Sequence, residues 1–224
     1  MKNVNRLNEP EVLRRNAAKW KEELLREIRR ARRQGRKPDS KFYDRYNHPE
    51  VKDTLSRMYK RLCCYCEAPV KVVTKGHIEH RKPKKGKNAF PELTFNWKNL
   101  HLACPTCNSS KGHKWNNEHE ILDAAAAIDR PITNHLTYEI EDTGVFRSAI
   151  TQRGRTTIEH ADLNREDLLE ARTKVLLGTL KVINEIKRLQ QNPQVSSKIS
   201  LLEGMSKREY GSLVKYAISE YLPN

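Results

Sequence analysis

A chain of 224 residues with 37% hydrophobic and 32% charged residues can bury only a modest core, in one domain or two small ones. Its formal net charge of +15 favours a polyanionic partner, nucleic acid being the commonest, with a merely solvated charged surface as the plain alternative. No apolar run approaches the ~20 residues of a bilayer span, and the N-terminus lacks an apolar signal core, so no membrane association and a cytoplasmic setting are expected.

Asn8-Glu9-Pro10-Glu11 reads as a helix start, with Asn8 as cap and Pro10 in the first turn. Leu13, Ala17, Trp20, Leu24, Ile28 and Ala31 then recur at steps of three and four, which predicts a long helix with one apolar stripe. Arg29, Arg30, Arg32 and Arg33 lie near its end, where cations suit the dipole, and Gly35 and Pro38 stop it. Residues 1–61 hold 19 Lys and Arg against 9 Asp and Glu, so the positive charge is concentrated here. A second helix is expected from about Pro49 to Leu62, running directly into Cys63. Val70–Val73 is β-prone, Ile78 sits in a short extended stretch, and Leu93–Trp97 is a candidate second strand.

Further on, the Ala124–Ala127 run supports a helix from about Glu118 to Asp129, which Pro131 breaks. Leu136–Ile140 and Val145–Ser148 flank Asp142-Thr143-Gly144, a strong hairpin signal. Asp162 or Asn164 should cap a helix carrying Leu168, Leu176, Ile183 and Ile186, which Asn192-Pro193 stops, and a last helix is expected over Lys207–Tyr221. The class is therefore α+β and mainly helical. The expected division is a basic helical region over 1–55, a central core over 56–130, and a β-hairpin with further helices over 131–224.

All five cysteines fall in two clusters, Cys63-Cys64-Tyr65-Cys66 and Cys104-Pro105-Thr106-Cys107. Two Cys-x-x-Cys pairs are the ligand set of a tetrahedral Zn²⁺ site, with thiolates at ~2.3 Å. Disulfides are the alternative, disfavoured by the spacing and by a reducing compartment. Cys64 lies between two correctly spaced partners and is the expected non-ligand. The stretch between the pairs is longer than a zinc ribbon needs, so an active site is expected there. Glu79 and His80 are neighbours that can divide two tasks, one holding a hard cation and the other accepting a proton. Asn99 and Asn108 offer neutral oxygens to orient a histidine or bind a cation. Lys111 and the basic turn with Lys84, Lys85 and Lys87 offer phosphate contacts. This is a kit for metal-assisted phosphodiester hydrolysis. Read plainly, Glu79-His80 is a surface pair of a zinc-stabilised binding module, Asn99 a turn residue and Asn108 a helix cap.

The order Cys-x-x-Cys, Ile-Glu-His, Asn-Leu, Cys-x-x-Cys-Asn-x-x-Lys-Gly, over roughly residues 60–115, resembles the HNH endonuclease family and its ββα-metal core. By that resemblance His80 is the general base. Glu79 stands where the family usually has Asp, as ligand of a catalytic Mg²⁺ or Mn²⁺. Asn99 holds the base histidine, and Asn108 is the second metal ligand where many members have His. His113 is an alternative ligand. Cys63, Cys66, Cys104 and Cys107 match the zinc ligands. His77 would share a strand face with Glu79, for a structural or substrate contact.

The Asn-Glu-Pro-Glu opening, the phrase Cys-Tyr-Cys-Glu and the segment Thr-Thr-Ile-Glu-His-Ala-Asp-Leu-Asn-Arg resemble nuclease subunits of Septu-type and retron-linked antiphage systems, the PtuB-like proteins. That likeness implies DNA as substrate, a PtuA-type ATPase as partner and, in a retron, a reverse transcriptase with its RNA–DNA product. The alternatives are an RNA nuclease acting, for example, on tRNA, and a non-catalytic zinc module that binds nucleic acid or the ATPase.

Overall fold

The computed structural model describes residues 1–70, 76–189 and 192–222. Helix α1 (Glu11–Arg33) follows Pro10, and no side chain of its own entry caps it. Asn8 is not the cap. The Glu50 carboxylate from the next helix accepts from the backbone N–H groups of Glu11 and Val12 instead. A tertiary contact thus fills a role expected of a local residue. Leu13, Leu24 and Ala31 of the stripe are fully buried. At the far end the Glu27 carboxylate takes Arg36 at 2.6 Å and the Asp39 N–H at 3.1 Å, which folds the chain back after Gly35.

Helix α2 (Pro49–Met58) starts at a His48 side-chain cap and buries Val51, Leu55 and Met58. It stops short of Leu62 because Lys60 and Arg61 adopt left-handed φ values of 52° and 58°. That turn lets Leu62 bridge to Pro69 and aims the chain into the first cysteine pair.

Strand β1 (His77–His80) pairs antiparallel with β2 (Leu100–Ala103), Glu79 opposite His101, and α3 (Pro105–Lys111) follows at once. Of the β-prone Val70–Val73 stretch, residues 71–73 lie outside the described residues. Leu93–Trp97 is not a strand. It runs between two 3₁₀ turns, Pro91–Leu93 and Trp97–Asn99, the second capped by the Asn96 side chain on the Lys98 N–H at 2.9 Å. Phe95 and Trp97 are buried there as core plugs rather than as strand residues.

The helix expected over Glu118–Asp129 is also absent, apart from a 3₁₀ turn at Ala127–Asp129. Asn116 Oδ1 accepts from the N–H groups of Glu118 and His119, and the buried Asp129 carboxylate takes the Asp123 N–H and Arg153. Side chain to backbone bonds compete successfully with the helical propensity of the alanines.

The hairpin forms as expected from β3 (Leu136–Glu141) and β4 (Gly144–Ala149). An unexpected helix α4 (Gln152–Ala161) follows, capped by the Thr151 hydroxyl on the Gly154 N–H at 3.1 Å. Helix α5 (Glu166–Leu189) carries the expected apolar stripe. The helix expected over Lys207–Tyr221 starts later, as α7 (Gly211–Tyr221), because Tyr210 turns left-handed at φ 50°, and a further helix the sequence did not announce, α6 (Val195–Ser206), precedes it. Helix α5 packs on β4, α6 and α7, while α4 leans on α3 and so joins the C-terminal region to the central ββα unit. The mainly helical α+β class stands. Among the described residues, no helix is long and apolar enough to cross a membrane.

Candidate active site

The two cysteine pairs sit at two tight backbone features. In the first, Glu67 turns left-handed (φ 65°), and Cys63 accepts its N–H while donating to Ala68. In the second, Cys104 caps α3, its Sγ taking the Cys107 N–H at 3.4 Å, with Pro105 preset for the first turn. Cys63, Cys66, Cys104 and Cys107 bring their Sγ atoms within 4.8 Å of one another. Cys66 and Cys104 are 3.9 Å apart. A tetrahedron with ~2.3 Å metal–sulfur bonds has edges of about 3.8 Å, so the thiol set fits zinc as it stands. All five cysteines are free thiols, which removes the disulfide alternative. Cys64 stays outside the cluster. Arg165, just before α5, places Nη1 3.4 Å from Cys107 Sγ and sets a cation against the thiolates. Only tertiary packing brings it there, and spacing within the sequence gave no sign of it.

Beside this cluster, β1, α3 and the loop before α2 enclose a cleft of about 390 Å³, lined in part by His77, Glu79, His80, Lys84, Asn108 and His113. The His80 ring is buried, and its Nε2 donates to the Thr94 carbonyl at 2.9 Å. A carbonyl can only accept, so Nε2 carries the proton and Nδ1 keeps its lone pair. Burial first, and then the Lys84 charge, push the His80 pKa well below the ordinary histidine value, so the ring is neutral at pH 7. Glu79 is also buried, which raises its pKa, with the Lys111 charge opposing. Both Lys111 Nζ, at 2.7 Å, and the Tyr65 hydroxyl, at 3.2 Å, reach its Oε1. Oε2 takes no hydrogen bond among the described residues. Asn108 spends its Nδ2 on His77 Nδ1 at 3.0 Å, which leaves its amide oxygen available.

Three expectations change in detail. Lys111 is not a phosphate contact. It is fully buried, bonded to Glu79 and to the His80 carbonyl, and ties α3 to β1. Asn99 makes no hydrogen bond to the His80 ring among the described residues. It pins the intervening loop, accepting from the Lys82 N–H at 2.7 Å and donating to the Lys82 and Leu93 carbonyls. The ring itself is held by backbone, at Thr94. The four basic residues also divide. Lys84 faces the cleft, Lys85 lies 4.2 Å from the Tyr43 ring centroid, and Lys87 is exposed. His113 is exposed on the rim, close against Gly86.

The buried pair sets a stability test. Lys111→Met strands the Glu79 carboxylate in the interior and is expected to cost about 3–5 kcal/mol in urea unfolding of the zinc-loaded protein. The double variant Glu79→Gln/Lys111→Met should cost less than the sum of the singles, since the two groups are coupled.

His101, opposite Glu79 in the sheet, has the Tyr59 hydroxyl at 2.6 Å and Arg6 at 3.4 Å. Burial, against the pull of Asp123, takes its pKa down to about 3. The folded state therefore prefers the neutral ring. This contribution is complete above the unfolded value near 6.5 and is lost as pH falls toward 3. By pH 5 about 2 kcal/mol of it is gone. The loss of stability between pH 7 and pH 5 should be smaller by that amount in His101→Gln than in the native chain, measured by urea titration.

A short antiparallel pair leads into a helix, with a carboxylate and an imidazole on the first strand and a four-thiol clamp behind, as the resemblance to HNH endonucleases implies. The family model for HNH endonuclease matches residues 63–114. The Septu protein PtuB of Bacillus mycoides (strain KBAB4) is 30% identical over 252 aligned positions, covering 88% of this chain and 83% of the relative. The Septu protein PtuB of Bacillus thuringiensis is 30% identical over 64% of this chain and 52% of its own. An HNH endonuclease predicted for retron Vc95 of Vibrio cholerae serotype O1 biovar El Tor is 41% identical over 54 residues, 24% of this chain and 26% of that one. No solved structure matches. The chain belongs to the Septu PtuB family of HNH endonucleases.

Proposed function

We propose that this chain is the DNA-cutting effector of a cytoplasmic antiphage system of the Septu type, with His80 as general base and Glu79 and Asn108 as ligands of the catalytic cation. One observation carries the reading. A neutral, buried imidazole whose Nδ1 has no partner among the described residues shares a cleft with two oxygen atoms that are likewise unengaged among them, Glu79 Oε2 and the Asn108 amide oxygen. These hard donors suit Mg²⁺ or Mn²⁺. When bound, such an ion polarises a phosphate oxygen and offsets charge on the departing 3′-oxygen.

The chain's own residues do the rest. His80 Nδ1 takes the proton of the attacking water, while the Thr94 carbonyl keeps the ring turned toward the cleft. Asn99 keeps that loop in register with β1. Four thiolates leave zinc no open position, so its part is to hold strand and helix together.

A PtuA-type ATPase that holds or gates the nuclease is the partner proposed, supported by the PtuB relatives. The retron relative covers only 24% of this chain, and supports a reverse transcriptase with its RNA–DNA product only as a variant of the same system. The test uses the purified chain, with and without a PtuA-type ATPase, on labelled DNA and tRNA, with and without chelator. Chelator-sensitive cutting of DNA is expected. Cutting of tRNA alone would replace the substrate, and equal cutting by His80→Ala would overturn the base assignment.

A further inference from the structure

Residues outside the 63–114 segment help to build the cleft. Tyr46 and Lys52 line it from the N-terminal region. Tyr46 ends a 3₁₀ turn at Asp44–Tyr46, which an Arg45–Glu23 ion pair fastens to α1. Its ring stands edge-on to the His80 imidazole, with centroids 4.4 Å apart and planes at 85°. Lys84 Nζ lies 4.1 Å from the centroid of the same ring and donates to its hydroxyl.

Two features of this pair are unusual for simple packing. Lys84 is half-buried yet forms no ion pair among the described residues. Desolvation brings its pKa down to about 8, with Asp44 and Glu79 raising it and Lys85 and Lys111 lowering it. Holding a partly desolvated ammonium without a contacting carboxylate costs free energy, and an entering anion recovers that cost. The second feature is donor count. The Tyr46 oxygen accepts from Lys84, so its own hydroxyl proton remains to be given, and the ammonium keeps two further N–H groups. Among the described residues these donors have no acceptor, and they face the cleft that holds His80.

We infer that Lys84 grips a non-bridging oxygen of the scissile phosphate, and that Tyr46 is the positioning residue that aims Lys84 and fixes the plane of His80. The inference rests on the nuclease reading with His80 as base. It makes the active site composite: the ββα unit supplies base and cation ligands, and the N-terminal region aims the phosphate grip. The binding role expected of Lys84 as one of several basic residues becomes a transition-state role, while Lys85 and Lys87 stay outside the chemistry.

The test measures kcat and KM of full-length, zinc-loaded variants on whichever nucleic acid the native chain cuts, after zinc content and melting are checked. Lys84→Met should lower kcat about 100-fold with KM within about threefold, as for loss of a donor aimed at developing charge. Lys84→Arg keeps the cation and should recover kcat to within about tenfold of native. Tyr46→Phe, which keeps the ring, should lose about tenfold, and Tyr46→Leu about 100-fold. Native kcat in both Lys84→Met and Tyr46→Phe, with His80→Ala dead, overturns the inference and leaves the nuclease reading intact. A change confined to KM makes Lys84 a ground-state contact and overturns it too. An active His80→Ala variant removes the reading on which it rests.

Discussion

His80→Ala is expected to slow cleavage by about 10²–10⁴-fold, the usual worth of a positioned general base. The variant should keep its zinc, its secondary structure and its affinity for nucleic acid. The size of the effect follows from the lack of any substitute. His77 is three residues away on the same strand, but its Nδ1 is occupied by Asn108. His113 is exposed at the rim, and among the described residues no hydrogen bond fixes its ring. His101 lies opposite Glu79, with both ring nitrogens facing partners of its own, Tyr59 and Arg6. The ring of His80 alone combines burial, a fixed tautomer and a free lone pair toward the cleft. Gel-based cleavage under single-turnover conditions, beside zinc analysis and a binding titration, separates lost chemistry from lost structure. A variant that cuts at the native rate would show that another group takes the proton.

Stripping the thiol-bound zinc, or replacing Cys107 with alanine, is expected to unfold the central unit cooperatively. Strands β1 and β2 have four residues each and α3 has seven, too little apolar surface to hold a fold unaided. No disulfide closes the long loop between the two cysteine pairs. Structural zinc contributes on the order of 10 kcal/mol or more in small sites, as much as the whole stability of a typical domain. Trp97 and Trp115, both buried in the core, should report the loss as a change of fluorescence on addition of a strong chelator, with near-parallel loss of circular dichroism from the central unit. Full reversal by added zinc is expected while the thiols stay reduced. A natively purified chain that contains no zinc and still unfolds in one sharp transition would contradict it.

What could be read in the sequence was local. Paired cysteines two residues apart must form knuckles, so the clamp was visible. The hairpin was visible because Asp-Thr-Gly between alternating apolar residues leaves the backbone few options. The stripe on α1 was visible for the same reason. What stayed hidden depended on contacts across the fold. Nothing in the spacing of α3 says which side of that short helix meets β1, so Lys111 read as a surface cation when it is the buried partner of Glu79. The cap of α1 comes from Glu50, 39 residues on, and no local rule finds it. The alanine run after Glu118 carried a true propensity, but Asn116 and Asp129 outbid it with side-chain bonds. Helix α4 did leave a signal, Thr151 three residues before Gly154, that could have marked its start. Tyr46 left none, since its meaning depends on a neighbour 34 positions away in the chain.

The Thr94 carbonyl that steers His80 belongs to the main chain, and this bears on how the family can drift. Exchanging the side chain at position 94 cannot delete the acceptor, so the aim of the base is shielded from the commonest kind of genetic change. Vulnerability passes instead to Asn99, whose one amide fastens both ends of the loop and which no other side chain of similar reach can replace. Related sequences should therefore tolerate variety at 94 far better than at 99, a pattern that an alignment of the family can check directly.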